Sequence, residues 1–427
     1  MQTPRRVMPF KHISSLVFLV LLAVYTIAFL GGAAGVPFHP DESTYIFMSA
    51  DFEQLFRAPG ALAWQPEAQD NPILRYRIQD APLGRYLIGL GRALAGLPPL
   101  PVDWDWSRTW EENRQAGALP SPQLLLAARL AVAALTPLSV LLLFLTGRRL
   151  ANERVAWLSA LLLAGNALVL LHARRAMSEG PVVFTVALLL WSLTVAEKRP
   201  WLTALPAALA FCAKHSLAAL APVSLLAVLW QPKRTAKGVG SDLLRYAALF
   251  ILVVAALNPA LWAHPIAAAQ AALHSRQELL ARQVADRPEQ VMRSPAVRVA
   301  VMLGSLFLVQ PIFAETTNYT QETRPAERAY LANPFHSLLR SPAAGGVLLL
   351  AYLYGHLALI LQAARRRPLP RAALLLLAAV LLQALALLAT VPLPFQRYYL
   401  PLVPHACLWT AFGIDRLLKI TRIARSG

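Results

Sequence analysis

His39-Pro40-Asp41-Glu42-Ser43-Thr44-Tyr45 places two adjacent carboxylates directly after the first long apolar run of the chain. A charge at a membrane edge loses hydration, so its presence needs a reason. One reason is structural: Pro40 followed by two acids suits a helix N-terminus, where negative charge offsets the exposed N–H groups. The other is chemical: a carboxylate within reach of a hydroxyl serves as a general base. The two are compatible, because a capped helix end holds its carboxylate rigidly. A second charged segment is Arg75-Tyr76-Arg77-Ile78-Gln79-Asp80-Ala81-Pro82-Leu83-Gly84-Arg85. There, basic residues and an acid precede an apolar helix that starts at a proline, and snorkelling arginines explain it equally well.

The elements that must position these residues follow from composition. Of 427 residues, 57% are hydrophobic and 15% charged, where an ordinary soluble domain carries about 25% charge. The apolar residues fall in runs of roughly 15–22, long enough to cross a hydrocarbon layer about 30 Å thick. In lipid each run must be helical to satisfy its backbone. The expected fold is therefore an all-α polytopic membrane protein. Its spans lie near 13–34, 124–146, 155–172, 180–196, 200–213, 215–230, 246–263, 343–363, 371–391 and 401–418, about ten helices, or eleven if 297–313 also crosses. Arg5, Arg6 and Lys11 before the first run would also suit a signal peptide. Its length and the acidic pair that follows favour a retained helix.

Charge distribution sets the orientation, since short cytoplasmic loops are rich in Lys and Arg. Segments 1–12, 147–154, 197–200, 231–245, 364–371 and 419–427 hold 19 basic and 3 acidic residues, whereas 35–123 holds 11 acidic and 7 basic. Ten spans with both termini cytoplasmic reproduce that split. Counting 297–313 as a span would put Arg365-Arg366-Arg367 outside, so that stretch is expected to be re-entrant or partly buried. The chain thus reads as one transmembrane domain, 1–427, with extracytoplasmic segments at 35–123 and 264–341. In the first, Trp104, Trp106 and Trp110 are expected at the membrane interface. In the second, Ala267 to Gln290 is expected as a polar helix on the membrane surface. The net charge of +18 does not indicate nucleic acid, because the cations are spread over short loops without a basic stripe. Cys212 and Cys407 each lie inside an apolar run, as core residues rather than a disulfide or zinc pair.

The Asp-Glu pair and the Pro-Leu-Gly-basic helix start together resemble glycosyltransferase family 39 of the GT-C superfamily. That family includes protein O-mannosyltransferases and, nearby, lipid A aminoarabinose transferases. Its second motif reads His-Pro-Pro-Leu-Gly-Lys or carries Lys-Pro-Pro-Leu; here Asp80 stands where those patterns have a basic residue. The resemblance extends to Ala128-Arg129-Leu130 through Gly147-Arg148-Arg149, to Arg175-Ala176-Met177-Ser178-Glu179-Gly180-Pro181, to Lys214 between two short helices, and to Gln396-Arg397-Tyr398-Tyr399-Leu400-Pro401. It is thinnest over 264–341.

The resemblance implies sugar transfer from a polyprenyl-phosphate donor to a hydroxyl of a protein, glycolipid or polysaccharide; the charge distribution puts it on the extracytoplasmic face, and the short basic C-terminus and lack of a soluble insert favour a plasma (inner) membrane. The leaving group is then an anion at the membrane surface, whose developing charge needs stabilising. Arg85, Arg175, Lys214 and Arg397 fall at helix ends on that face and are the expected phosphate ligands. Asp41 is the expected base, with Glu42 orienting it or sharing the role. Tyr45, Asp80 and Tyr398 are expected around the substrate. Glu179 either supports the base or joins Asp41 on a divalent cation, Mg or Mn; no dense acidic cluster requires such an ion. A rival reading is a transporter or flippase of a lipid-linked substrate, which would place ionisable residues at mid-membrane depth. The charges sit instead at helix ends. A scaffold role would leave Asp41 and Arg397 dispensable.

Overall fold

The computed structural model describes residues 10–68, 71–231, 235–315, 319–365 and 369–426. Arg5, Arg6, Lys233, Arg234, Arg366 and Arg367 of the basic loops lie outside them. The described residues form helices with no strand. Five helical segments are long and apolar enough to cross a membrane: Ser14–Gly31, Pro122–Leu150, Ala236–Leu257, Pro342–Ala364 and Arg371–Thr390. Their lipid-facing character is plain in the first, where Leu16, Val20, Val24 and Ile27 are all exposed. Such a surface is unstable in water and suits hydrocarbon. The chain is an integral membrane protein.

Local chemistry shaped several boundaries. The expected span 155–172 is two helices, Glu153–Ala164 and Ala167–His172. Gly165 ends the first, and the Asn166 side chain accepts hydrogen bonds from the N–H groups of Leu168 and Val169 to start the second, the usual work of an N-cap. The expected span 246–263 begins earlier, at Ala236, under a Thr235 cap, and stops at Leu257 before Pro259. The 297–313 stretch is the 13-residue helix Pro295–Phe307, roughly 20 Å long at 1.5 Å per residue.

The core is a continuous apolar cluster running from Phe18 through Leu163 and Leu190 to Trp409. Pro342–Ala364 and Val403–Ser426 approach closely at two glycines. A Cβ on Gly413 would lie 1.9 Å from the Ala351 carbonyl, and one on Gly355 2.4 Å from that of Trp409. Small residues at such a crossing let helix backbones pack where water drives nothing. The Ala267 to Gln290 stretch is not a free surface helix. Pro265–Ala285 packs on Pro72–Gln79 through Ala268 and Ile78, and the Ser275 hydroxyl donates to Gln79 at 3.2 Å.

Candidate active site

Pro40–Met48 is the helix that carries the acidic pair, and it opens with a capping box. His39 Nδ1 accepts from the Asp41 N–H at 3.1 Å, while the His39 N–H donates to Glu42 Oε2 at 3.1 Å. These reciprocal bonds satisfy two of the unpaired donors at the helix start. They also fix the imidazole tautomer: Nε2 carries the proton and donates to Glu315 at 2.9 Å.

The two adjacent acids then part company. Glu42 is fully buried, and Arg129 grips both its oxygens at 2.7 Å. The N–H of Ala176 adds a further bond at 2.8 Å. Arg129 also donates to the carbonyls of Ala33 and Val36. With four donors on two oxygens, Glu42 has no lone pair free for a substrate. Burial opposes ionisation of Glu42, but Arg129 outweighs it and holds the carboxyl below its usual range. Asp41 is one-quarter exposed and pairs with Arg397 at 2.5 Å. Burial raises its pKa, yet the Arg397 guanidinium, by its charge and its hydrogen bond, offsets this, so Asp41 too lies below its usual value. Arg397 reaches Glu315 at 3.1 Å on its other side, forming a chain from His39 through Glu315 and Arg397 to Asp41.

The four cations expected on phosphate divide in the same way. Arg85 is buried; it donates to the carbonyls of Tyr76, Arg77 and Asp80 and pairs with Asp51 at 3.4 Å. It closes the C-terminus of Pro72–Gln79, where a cation is favoured. Arg175 is fully buried and donates to the carbonyls of Pro37 and Phe313, tying the Asp41 loop to the Glu315 segment. Both spend donors on backbone carbonyls, while Arg175 Nη1 is buried without a hydrogen-bond partner. Lys214 and Arg397 remain partly open. Lys214 pairs with Glu179 at 3.2 Å and lies 5.3 Å above the Tyr398 ring. Arg397 and Arg276 stand 5.7 Å from that same ring. Cations on an aromatic face are attracted by its quadrupole, and here three share one ring.

Around this centre, Asp80 lies among Arg85, Arg276, Asp41 and Lys214; enclosure dominates and lifts its pKa to about 6. Tyr45 bonds to Ser178 and sits near Asp80, Glu179 and Asp41. Its ring is admitted by Gly84, where an added Cβ would stand 3.2 Å from it. Glu179 is held by Gly180, which packs against the Val132 carbonyl so closely that a Cβ would sit 2.7 Å away. Asp103, bonded to Thr44 and Tyr76, is a further acid within range of Asp41. Trp104 is not an interface anchor. It is buried and joins Phe38, Trp106, Trp110 and Tyr319 in an aromatic cluster against His39. The acids do not gather for a metal. Asp41 faces a guanidinium and Glu179 an ammonium, and no group of three or more His, Cys, Asp or Glu suited to a metal ion occurs among the described residues.

Asp51, Asp103, Arg129, Arg276, Glu315 and Tyr319 were not singled out from their types and spacing as parts of the site. Arg129 had a signal, since a lone charge inside an apolar helix demands a buried partner. So did Glu315, the one acid after a long apolar stretch. Arg276 had none, being one polar residue in a polar helix.

The fold is shared with solved membrane proteins. Residues 123–262 match the family model described as dolichyl-phosphate-mannose-protein mannosyltransferase, and the resemblance to family 39 read from the motifs stands. Among solved structures, the chain is similar to the archaeal oligosaccharyltransferase AglB from Archaeoglobus fulgidus, in complex with an inhibitory peptide and a dolichol-phosphate. Identity is 12%, coverage 98% of this chain and 52% of that one, and the TM-score 0.54. It is also similar to ArnT from Cupriavidus metallidurans bound to undecaprenyl phosphate, at 13% identity, 97% and 64% coverage and a TM-score of 0.52. The chain spans about half the length of AglB. No curated protein sequence matches it.

Proposed function

We propose that this chain is a membrane glycosyltransferase that moves a sugar from a polyprenyl-phosphate donor to an acceptor hydroxyl on the extracytoplasmic face, with both termini cytoplasmic. The observation that carries the reading is the pairing of a partly open Asp41 with Arg397, beside Lys214 and Arg276 around Tyr398. It sets a base next to an anion site. The fold shared with AglB and ArnT, whose solved complexes hold dolichol-phosphate and undecaprenyl phosphate, supports that choice of donor.

In this mechanism Asp41 accepts the proton of the acceptor hydroxyl as its oxygen bonds to the anomeric carbon. The bond from that carbon to the phosphate oxygen breaks, and its electron pair leaves on the phosphate. Lys214, Arg276 and Arg397 stabilise the charge that develops there, the largest contribution expected in such a site. Arg397 links the two halves, because it touches the base and borders the phosphate site. Glu42, Arg129, Arg175 and Arg85 hold the frame. The interleaving of acids with cations suits an anionic leaving group better than a divalent ion, so no step requires a metal.

The test is a transfer assay with purified protein, defined polyprenyl-phosphate sugars and candidate acceptors. Asp41→Asn keeps size and removes basicity. Wild-type transfer in that variant would end this reading, and lipid translocation without transfer would favour a transporter.

A further inference from the structure

A second polar site lies away from Asp41, in a small pocket between Pro295–Phe307, Pro342–Ala364 and Val403–Ser426. It is lined by Leu162, Leu306, Phe307, Arg340, Cys407 and Thr410, among others, and its volume is about 30 Å³. Arg340 is 5% exposed. One of its terminal nitrogens donates to the carbonyls of Ser305 and Val309, and Gln310 in turn donates to the Arg340 carbonyl at 2.5 Å. The other, Nη2, is buried without a hydrogen-bond partner, and so is the hydroxyl of Thr410. Both residues line the same pocket.

Three physical arguments make this a binding site rather than a packing fault. A buried guanidinium is costly unless paired, yet no ion pair involves Arg340 among the described residues. Burial lowers its pKa to about 10. Second, the two idle donors call for an acceptor, and the pocket has room for one or two oxygen-sized atoms and not for a sugar. Third, Leu339 beside it adopts φ 63°, a left-handed conformation that non-glycine residues hold only where the surroundings impose it, often at ligand clamps. The mouth is apolar, with Leu338 and Leu339 exposed, and Arg340 directly precedes a membrane-length helix.

We propose that the Arg340 pocket binds an anionic phosphate oxygen, presented by a phospholipid headgroup whose chains lie along the apolar mouth. Gln396 donates to the same Ser305 and Val309 carbonyls as Arg340 and is the neighbour of Arg397. An occupant would therefore brace the short helical turn Gln396–Leu402, which carries the Asp41 partner Arg397.

The experiment titrates the detergent-solubilised full chain with phosphatidylglycerol, phosphatidylcholine or inorganic phosphate, reading bound lipid by native mass spectrometry and the unfolding midpoint. Wild type should retain phosphatidylglycerol. Arg340→Gln should weaken that retention about tenfold and Thr410→Val severalfold, in line with loss of a charged and a neutral hydrogen bond. Stabilisation by inorganic phosphate alone, absent in Arg340→Gln, would keep the phosphate chemistry but replace the lipid by a free ion. Because Arg340→Gln could fail to fold, Thr410→Val decides independently, as it leaves the Arg340 contacts intact. Equal affinity for phosphatidylglycerol in wild type and Thr410→Val, or no Arg340-dependent response to either phosphate source, overturns the proposal.

Discussion

Arg129 meets Glu42 with two parallel hydrogen bonds of 2.7 Å, in a place from which solvent is wholly excluded. Asp41, the next residue back, is one-quarter exposed. The helix N-terminus thus turns one carboxylate into the bundle and the other toward the Arg397 side. Substituting the two acids should have opposite signatures. Glu42→Gln leaves Arg129 buried and unpaired, a change that costs on the order of 3–5 kcal/mol. The unfolding midpoint in detergent should fall markedly, and transfer should fall with it.

Asp41→Asn should leave the unfolding midpoint within a few degrees of wild type and reduce kcat by roughly 10²–10⁴-fold, the usual contribution of general-base catalysis. Donor KM should change little. A midpoint loss as large as that of Glu42→Gln would place Asp41 in the scaffold instead.

Arg276→Gln should raise donor KM about tenfold, the equivalent of roughly 1.4 kcal/mol in binding, with a smaller effect on kcat. Tyr398→Phe should be nearly neutral, since the ring face that the three cations share is kept. Tyr398→Leu should cost severalfold in donor KM, because a cation–ring contact is worth about 0.5–2 kcal/mol. Steady-state kinetics over a donor titration separates these outcomes.

Asp80 supplies a pH dependence. Its folded pKa, about 6, lies above the unfolded 3.8, so the folded state binds the proton more tightly. Stability and donor affinity should both rise as pH falls through 6, since loss of the Asp80 charge leaves Arg276 and Lys214 freer for phosphate. Donor KM measured from pH 7.5 to 5.5 should fall in wild type and stay flat in Asp80→Asn. Asp41 does not enter that window, because its pKa is lowered from 3.8.

Much of this was legible in the sequence. Apolar runs and the asymmetry of basic residues gave a helical membrane bundle, and the residue pattern around Asp41 pointed to a rigid acid at a helix start. What could not be read was which charges face each other. Arg85 and Arg397 look alike as arginines at helix ends. One spends its donors on the carbonyls of Tyr76, Arg77 and Asp80, the other on Asp41, and only the folded backbone decides between them. Arg276 was invisible for a related reason: its value lies in proximity to Tyr398, 122 positions away, and nothing in its own helix, where alanines and leucines mix with several polar residues, marks it out.

The Glu42 carboxylate is where three stretches far apart in the chain meet: its own cap at His39, Arg129, and the Ala176 N–H. Asp41 then takes its partner from Arg397, near the end of the chain. During synthesis the acidic pair is therefore made long before the residue, 356 positions on, that completes it. Until Arg397 is made, Asp41 lacks its ion pair and the three cations cannot gather around Tyr398. A nascent chain carries Asp41 unpaired, and activity should appear abruptly, once Arg397 joins the bundle, rather than grow with chain length.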